Sequence, residues 1–214
     1  MPKELKGVDI ELPLPRLTYR EAMERYGSDK PDIRFGLKLG CVNDLVRESG
    51  FKVFSERVKQ GGTVAGFIVP GGASSTRNQM DNLVDYAKSL GAGGLVYIKW
   101  TANGLESPSE KFLGKELLER IMTQLGGRQG DLALLVSDTW TRAYTILGTL
   151  RLEMGRRLNL IDEGKFALLW VTEFPLLEYD EEEKRFVAVH HPFTSPHPDD
   201  IPMLESDAAH ARAR

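Results

Sequence analysis

The histidines are the first candidates for chemistry, and all four lie beyond residue 189 of the 214-residue chain: His190, His191, His197 and His210. His190 and His191 are adjacent at the end of a predicted strand, where alternation directs neighbouring side chains to opposite faces. An imidazolium there can donate two hydrogen bonds to an anionic substrate. The pair also fits a plainer interpretation, with one histidine in the core and one at the surface. No further ligands at suitable spacing accompany it, so we expect no metal site.

The turn of residues 26–32, YGSDKPD, is a second candidate because it gathers acids, a lysine and a serine. Ser28, Asp29 and Lys30 could line a pocket or lie near a bound ligand. Asp and Ser side chains also hydrogen-bond their own backbone in turns. A solvated turn without a ligand is therefore the alternative interpretation.

The loop of residues 69–77, VPGGASSTR, is a third candidate because it leads into a predicted helix. Free N–H groups at a helix start bind phosphate, and Arg77 adds positive charge. The loop has neither the Walker spacing nor the dinucleotide-binding fingerprint. Thr76 and Gln79 have the spacing of a capping box, which favours a plain strand-to-helix turn.

The composition excludes several classes of protein. Lys plus Arg is 28 and Asp plus Glu is 31, so the net charge is −3 and any RNA contact must be local. Cys41 is the only cysteine, which excludes a disulfide framework and a cysteine-based zinc site. Apolar runs are far shorter than the ~18–20 residues of a membrane span, and the N-terminus lacks a secretory signal. We expect a cytoplasmic protein with neither a membrane nor a DNA partner.

The hydrophobic patterns of the middle of the chain predict alternating strands and helices. Strands are predicted at 51–55, 64–69, 95–100 and 131–137, and helices at 76–90, 109–125 and 139–158. Each predicted helix is amphipathic, so its apolar face must pack against another apolar surface. The pattern favours an α+β fold, a two-layer sandwich with helices packed on one face of a mixed or antiparallel sheet.

The two ends of the chain form different patterns. Thr18 and Glu21 predict a capped short helix near the start. Residues 166–177 and 185–191 predict a β-hairpin around the charged turn 180–184, and residues 206–214 resemble the start of a helix. We expect three parts: an N-terminal flank (1–34), a middle domain (35–160) and a C-terminal flank (161–214).

Several separate motifs occur in the order found in one enzyme family. They are LTYREAM at 17–23, YGSDKPD at 26–32, VPGGA at 69–73, WVTEFPLLE at 170–178 and HHPFTSP at 190–196. With these motifs the chain resembles an internal segment of the bacterial-type aspartyl-tRNA synthetases, which are class II enzymes. The middle part resembles the GAD-type insertion domain of that family, and the flanks resemble pieces of its catalytic domain.

The resemblance implies a parent homodimer that uses ATP and Mg²⁺ to form aspartyl-adenylate and then charges the tRNA for aspartate. It implies that His190 contacts the aspartate or adenylate, with His191 beside the same pocket, in a binding and orienting role. Three features of the family are not found in this sequence: an Arg-x-x-x-Glu motif followed by substrate-binding acids, the Gly-x-Gly-x-Gly-x-Asp-Arg of the third class-defining motif, and the anticodon-binding barrel. We therefore expect no complete catalytic site, no bound cofactor and no aminoacylation by this chain alone.

The sequence leaves two roles open for the insertion domain. It could contact or position tRNA, for which a basic face is needed. The basic residues in or near its elements are Arg77, Lys88, Lys99, Lys111 and Lys115. Alternatively it is a structural spacer with a mixed-charge surface. We expect a monomer or weak dimer, and the choice between aspartate tRNA alone and asparagine tRNA as well stays open.

Overall fold

A computed structural model describes residues 10, 12–180, 182–191 and 193–214 of the chain. It forms two compact units. The larger unit is Met23–Lys165, and the smaller unit combines the chain up to Ala22 with Phe166–Arg214. The sequence-based boundaries were instead 34/35 and 160/161. Among the described residues, no helix is long and apolar enough to cross a membrane.

In the described residues the strands have two to seven residues and the α-helices four to eighteen. The strands are β1 (Arg16–Thr18), β2 (Gly40–Cys41), β3 (Thr63–Val69), β4 (Val96–Thr101), β5 (Gly104–Glu106), β6 (Leu132–Asp138), β7 (Trp170–Thr172), β8 (Leu177–Asp180) and β9 (Arg185–Ala188). The helices are α1 (Tyr19–Tyr26), α2 (Asn43–Val46), α3 (Lys52–Lys59), α4 (Arg77–Ser89), α5 (Glu110–Leu113), α6 (Lys115–Gln124) and α7 (Trp140–Arg157).

The larger unit is built on one five-stranded sheet with the order β2-β3-β6-β4-β5. All four pairings are antiparallel, and β3 pairs with β6 along its whole length, from Thr63 opposite Asp138 to Val69 opposite Leu132. This arrangement confirms the α+β class and the antiparallel sheet.

Helices cover both faces of the sheet at β3 and β6, whereas the sequence-based expectation placed all helices on one face. Every residue of β3 is buried. Val64 and Ile68 on one face pack in a core with residues of α3 and α6. Phe67 on the other face is also fully buried, and α7 packs on β3 and β6 outside that core. The continuous apolar run TVAGFIV is typical of a strand that is covered on both sides.

Residues 52–55 lie in helix α3, so the strand predicted at 51–55 is wrong. Phe51, Phe54, Ser55 and Val58 follow helical spacing, and the last three are buried in α3. The strand that pairs with β3 on this side of the sheet is β2. The predicted helix 109–125 is interrupted at Gly114, whose φ of 75° separates α5 from α6.

Both predicted capping boxes are confirmed. The Glu21 amide donates to Thr18 Oγ1 at 3.1 Å, and the Thr18 amide donates to Glu21 Oε2 at 2.9 Å. At the start of α4 the Gln79 amide donates to Thr76 Oγ1 at 3.3 Å, and the Thr76 amide donates to Gln79 Oε1 at 2.8 Å. These reciprocal bonds satisfy N–H groups that have no partner inside the helix.

In the smaller unit β1 pairs in parallel with β7, and β8 and β9 form an antiparallel hairpin. The predicted hairpin is confirmed, but its first strand begins at Leu177. The long strand predicted at 166–177 is reduced to β7, because Glu173 has a left-handed φ of 56° and Pro175 follows. The predicted terminal helix is also wrong. A 3₁₀ turn, Ala208–His210, is followed by extended residues bridged to Pro175 and Pro196.

Candidate functional site

The two adjacent histidines contact different aromatic side chains in the smaller unit. The His190 ring packs edge-to-face against Phe174, with centroids 4.9 Å apart, and Phe174 in turn lies 5.4 Å from Tyr19. The His191 ring packs against Phe193, and its Nδ1 accepts a hydrogen bond from the Phe193 amide at 3.2 Å. Both histidines are exposed. Only His190 therefore joins the Tyr19–Phe174 pair.

An ion cluster holds the segment that carries Phe174. The Arg212 guanidinium forms a fork with both oxygens of Asp200, at 2.8 Å each, and reaches Glu173 Oε2 at 3.2 Å. These hydrogen bonds hold the pKa of the buried Asp200 carboxyl far below its usual range and raise the pKa of Arg212. The Ala213 amide donates to the Phe174 carbonyl at 2.7 Å. Polar contacts therefore hold the segment of Glu173 and Phe174, and the Phe174 ring contacts His190.

This arrangement suits binding of an anionic or polar ligand. An exposed imidazole held by an aromatic ring can hydrogen-bond a carboxylate or phosphate. The described residues contain no group of three His, Cys, Asp or Glu side chains that could hold a metal ion.

Residues Ser28, Asp29 and Lys30 form a non-helical turn in the larger unit. Ser28 Oγ accepts a hydrogen bond from the Lys30 amide at 3.0 Å. The nearby Asp32 accepts from Arg34 Nε at 3.0 Å and Nη2 at 2.8 Å, and this pairing lowers the pKa of Asp32. The Ser28 hydroxyl is bound to the turn's own backbone, which is the pattern of the solvated-turn interpretation.

Arg77 is the first residue of α4, and its side chain is 94% exposed and 3.9 Å from Asp81. It lines a surface pocket of about 310 Å³, the Arg77 pocket, together with Lys99, Glu106 and Glu110. Lys99 Nζ donates to the Ser75 carbonyl. The Arg77 pocket combines two cations with two carboxylates, so it has no excess of positive charge.

Two other surface pockets of the larger unit differ in charge. The Glu116 pocket, of about 520 Å³, is lined by Glu116, Glu119 and Arg120. The Lys38 pocket, of about 460 Å³, is lined by the loop of residues 36–38, Arg128 and Asp131, with apolar walls.

The single carboxylate of the Lys38 pocket already has hydrogen-bond donors. Asp131 is 6% exposed, and its oxygens accept from the amides of Gly71 at 3.0 Å and Arg128 at 3.1 Å. Lys38 and Arg128 therefore supply the exposed charges of this pocket. Sequence reasoning did not single out these residues; the glycines beside them, Gly36 and Gly127, were the available signal.

Arg151 is the polar residue that sequence reasoning missed most clearly. It lies on α7 and is 1% exposed. Its Nη2 donates to the carbonyls of Asp32, Phe35 and Gly36 at 2.9, 3.1 and 2.8 Å, and its Nε donates to the Leu37 carbonyl at 3.0 Å. Burial lowers the pKa of Arg151 to about 10, so the side chain stays charged at neutral pH.

The Phe35 ring completes this contact, because the guanidinium carbon of Arg151 lies 4.0 Å from its centroid. A cation over an aromatic face gains further stabilisation when it is removed from water. The signal in the sequence was an arginine within the apolar stripe of Leu147, Leu150 and Met154, since a charged residue on a buried face needs dedicated partners.

The fold of the larger unit corresponds to a known domain family. Residues 54–147 match the GAD domain family, and they include the strands β3 to β6. This part of the larger unit is therefore similar to the GAD domain family.

The whole chain is also similar to larger proteins. It is 56% identical over 211 residues to the aspartate–tRNA(Asp/Asn) ligase of Moorella thermoacetica, covering 99% of this chain and 35% of that protein. It is 50% identical over 212 residues to the ligase of the same name from Caldanaerobacter subterraneus subsp. tengcongensis, covering 99% of this chain and 36% of that protein. Its identity to the aspartate–tRNA ligase of Halalkalibacterium halodurans is 49% over 212 residues, with the same shares covered.

The chain is therefore homologous over nearly its whole length to aspartate–tRNA ligases, which confirms the resemblance seen in the motifs. It spans about a third of the length of the relatives that it matches.

Proposed function

We propose that this chain is the segment of an aspartate–tRNA ligase that carries the GAD domain, and that its parent activates aspartate with ATP and Mg²⁺. The observation that carries this proposal is the 56% identity that extends across both units, beyond the GAD domain itself. The parent then transfers the aspartyl group to tRNA in the cytoplasm, as a homodimer.

The isolated chain is expected to be inactive in this reaction. Adenylate formation depends on positioning and charge compensation by many groups around one site. Aspartate-dependent exchange of pyrophosphate into ATP measures it. The full-length ligase is expected to catalyse the exchange, whereas the 214-residue chain is expected to show none. Robust exchange by the chain alone would contradict this assignment.

Within the full-length ligase, His190 is expected to bind and orient aspartate or its adenylate, with His191 beside it. The exposed His190 ring, held by Phe174, supports this role. His190→Ala is expected to lower kcat/KM for aspartate at least about tenfold. His210→Ala is the control, since it removes an exposed histidine paired with Asp207 at 2.7 Å. Equal effects of the two changes would contradict the role of His190.

The role proposed for the GAD domain is contact with tRNA. The observation that carries it is the Lys38 pocket, where the exposed charges are cations and the one carboxylate is bound by backbone amides. Local positive charge is what RNA contact requires in a chain of net charge −3.

Titration with the tRNA for aspartate at two salt concentrations tests this role. Saturable binding that weakens with salt and exceeds binding to a control tRNA is expected. Absence of binding at low salt would overturn it.

A spacer role is the second candidate, and the pairing of surface cations favours it. Arg77 lies 3.9 Å from Asp81, Lys88 lies 3.7 Å from Asp85, and Lys115 lies 3.8 Å from Glu110. Such mixed charge gives no net attraction to phosphate. In a spacer, deletion of the domain from the full-length ligase would reduce stability without changing KM for tRNA.

A further inference from the structure

Arg151 orients the backbone of the loop of residues 35–38. The carbonyls of Phe35, Gly36 and Leu37 all accept hydrogen bonds from this one buried guanidinium. In a trans peptide the N–H of the next residue points opposite to the carbonyl. The amides of Gly36, Leu37 and Lys38 therefore point away from Arg151. In the described part of the chain, none of these three amides has a hydrogen-bond partner.

These amides belong to the wall of the Lys38 pocket, which Gly36, Leu37 and Lys38 line together. Lys38 is exposed and has no ion-pair partner among the described residues. The Arg128 side chain is 85% exposed, and its Nε lies 4.0 Å from Asp131. The pocket wall thus presents hydrogen-bond donors and positive charge, while the carbonyls of the same loop are turned inward.

We propose that the Lys38 pocket binds a phosphate group of the tRNA backbone, through the amides of residues 36–38 and the side chains of Lys38 and Arg128. A phosphate has several acceptor oxygens and a negative charge, which match a wall of donors flanked by cations. Arg151 is a positioning residue, because it turns the loop carbonyls inward without touching the phosphate. The proposal rests on the proposed contact between the GAD domain and tRNA.

The pocket's apolar walls are consistent with a nucleic-acid backbone. Ile68, Pro70 and Leu125 lie beside the two cations. A sugar can lie against such a surface while its phosphate meets the donors. The Arg77 and Glu116 pockets lack this combination, because exposed carboxylates line both of them.

The first experiment follows the backbone amides of the 214-residue chain by ¹⁵N–¹H NMR during titration with inorganic phosphate. Ionic strength is held constant with chloride. The amides of Gly36, Leu37 and Lys38 are expected to shift in a saturable way. The double variant Lys38→Ala/Arg128→Ala is expected to bind phosphate at least about fivefold more weakly. Unshifted amides in the wild-type chain would overturn the site.

The second experiment measures binding of the tRNA for aspartate. Lys38→Ala/Arg128→Ala is expected to weaken binding about tenfold at low salt and to reduce the salt slope by about one to two. The matched control is Lys88→Ala/Lys115→Ala, which removes the same charge from the same unit and is expected to stay within about twofold of wild type. Equal weakening by both double variants would overturn the site.

Arg151→Lys tests the positioning role, because a lysine keeps the charge but cannot form the fork to four carbonyls. The phosphate-induced shifts of residues 36–38 are expected to be lost, although Lys38 and Arg128 remain. Unchanged shifts in this variant would contradict the positioning role.

The two experiments separate this proposal from the proposed function. Binding of tRNA that neither double variant weakens, with unshifted amides, overturns the phosphate site and leaves tRNA contact standing. Shifted amides without any tRNA binding overturn tRNA contact, and with it the assignment of the phosphate to RNA.

Discussion

The two units of this chain are stabilised in different ways. In the larger unit the seven-residue strands β3 and β6 are buried along most of their length. In the smaller unit the strands have three or four residues, and most of their side chains are partly or fully exposed. Its exposed large apolar side chains include Phe166, Leu168, Trp170, Tyr179, Phe186 and Phe193.

This difference shows where apolar burial stabilises the fold and where polar contacts replace it. Burial of apolar area is the dominant favourable contribution to folding. The larger unit has that contribution on both faces of its sheet. The smaller unit depends more on the fork between Arg212 and Asp200 and on backbone bonds of residues 211–214. We therefore expect substitutions inside the larger unit to have larger effects on stability.

The largest expected effect is that of Arg151→Met. It removes the donor from four loop carbonyls and is expected to lower the free energy of unfolding by about 3 kcal/mol or more. Urea denaturation measures it. Arg156→Met is the control on the same helix, because the Arg156 side chain is 66% exposed, and it is expected to change stability by less than about 0.5 kcal/mol. Similar losses in the two variants would contradict the buried role of Arg151.

A smaller but clear loss is expected for Gly148→Ala. An added Cβ would lie 2.2 Å from the carbonyl oxygen of Gly27, so the backbones must move apart. Overpacking of this kind costs about 1–3 kcal/mol. Gly94→Ala is the control, because nothing lies within 4 Å of its Cβ position. Thermal unfolding of both variants measures the difference, and an unchanged Gly148→Ala variant would show that the close approach is absent.

The smallest expected effect is that of Asp200→Asn, which acts on the smaller unit. The folded pKa of Asp200 lies below the ordinary value of 3.8, so the unfolded chain takes up the proton first as pH falls. The stabilisation by Arg212 is therefore complete well above pH 3.8 and is lost below it.

Urea midpoints of the wild-type chain and the variant at pH 7 and at pH 3 measure this effect. The difference between them is expected to shrink at the lower pH. A difference that grew as the pH fell would contradict the stabilising ion pair between Asp200 and Arg212.

The sequence predicted the elements whose signals are local. Thr18 with Glu21 and Thr76 with Gln79 located two helix starts, because a capping box depends on residues three apart. The apolar runs of β3 and β6 located the central strands. Residues 51–55 were assigned to a strand because the window ended before Val58, which completes the helical spacing of Phe51 and Phe54.

The parts that the sequence did not predict depend on contacts between distant residues. Arg151 meets the carbonyls of residues 32–37 more than a hundred positions away. The single β7 strand reflects the left-handed Glu173, whose carboxylate meets Arg212. Among the candidate sites, the substrate-binding role of His190 and His191 was predicted from the resemblance of their motif to a synthetase family. The Lys38 pocket requires three separate loops to meet and has no local pattern.

Hydrogen–deuterium exchange of the 214-residue chain, with and without the tRNA for aspartate, tests the account most directly. In the chain without tRNA, the amides of β3 and β6 are expected to exchange most slowly, and those of β8 and β9 much faster. On adding tRNA, exchange at residues 36–38 and 126–128 is expected to slow, with no change in the hairpin. Unchanged exchange at residues 36–38, with slowing confined to the smaller unit, would contradict tRNA contact by the larger unit.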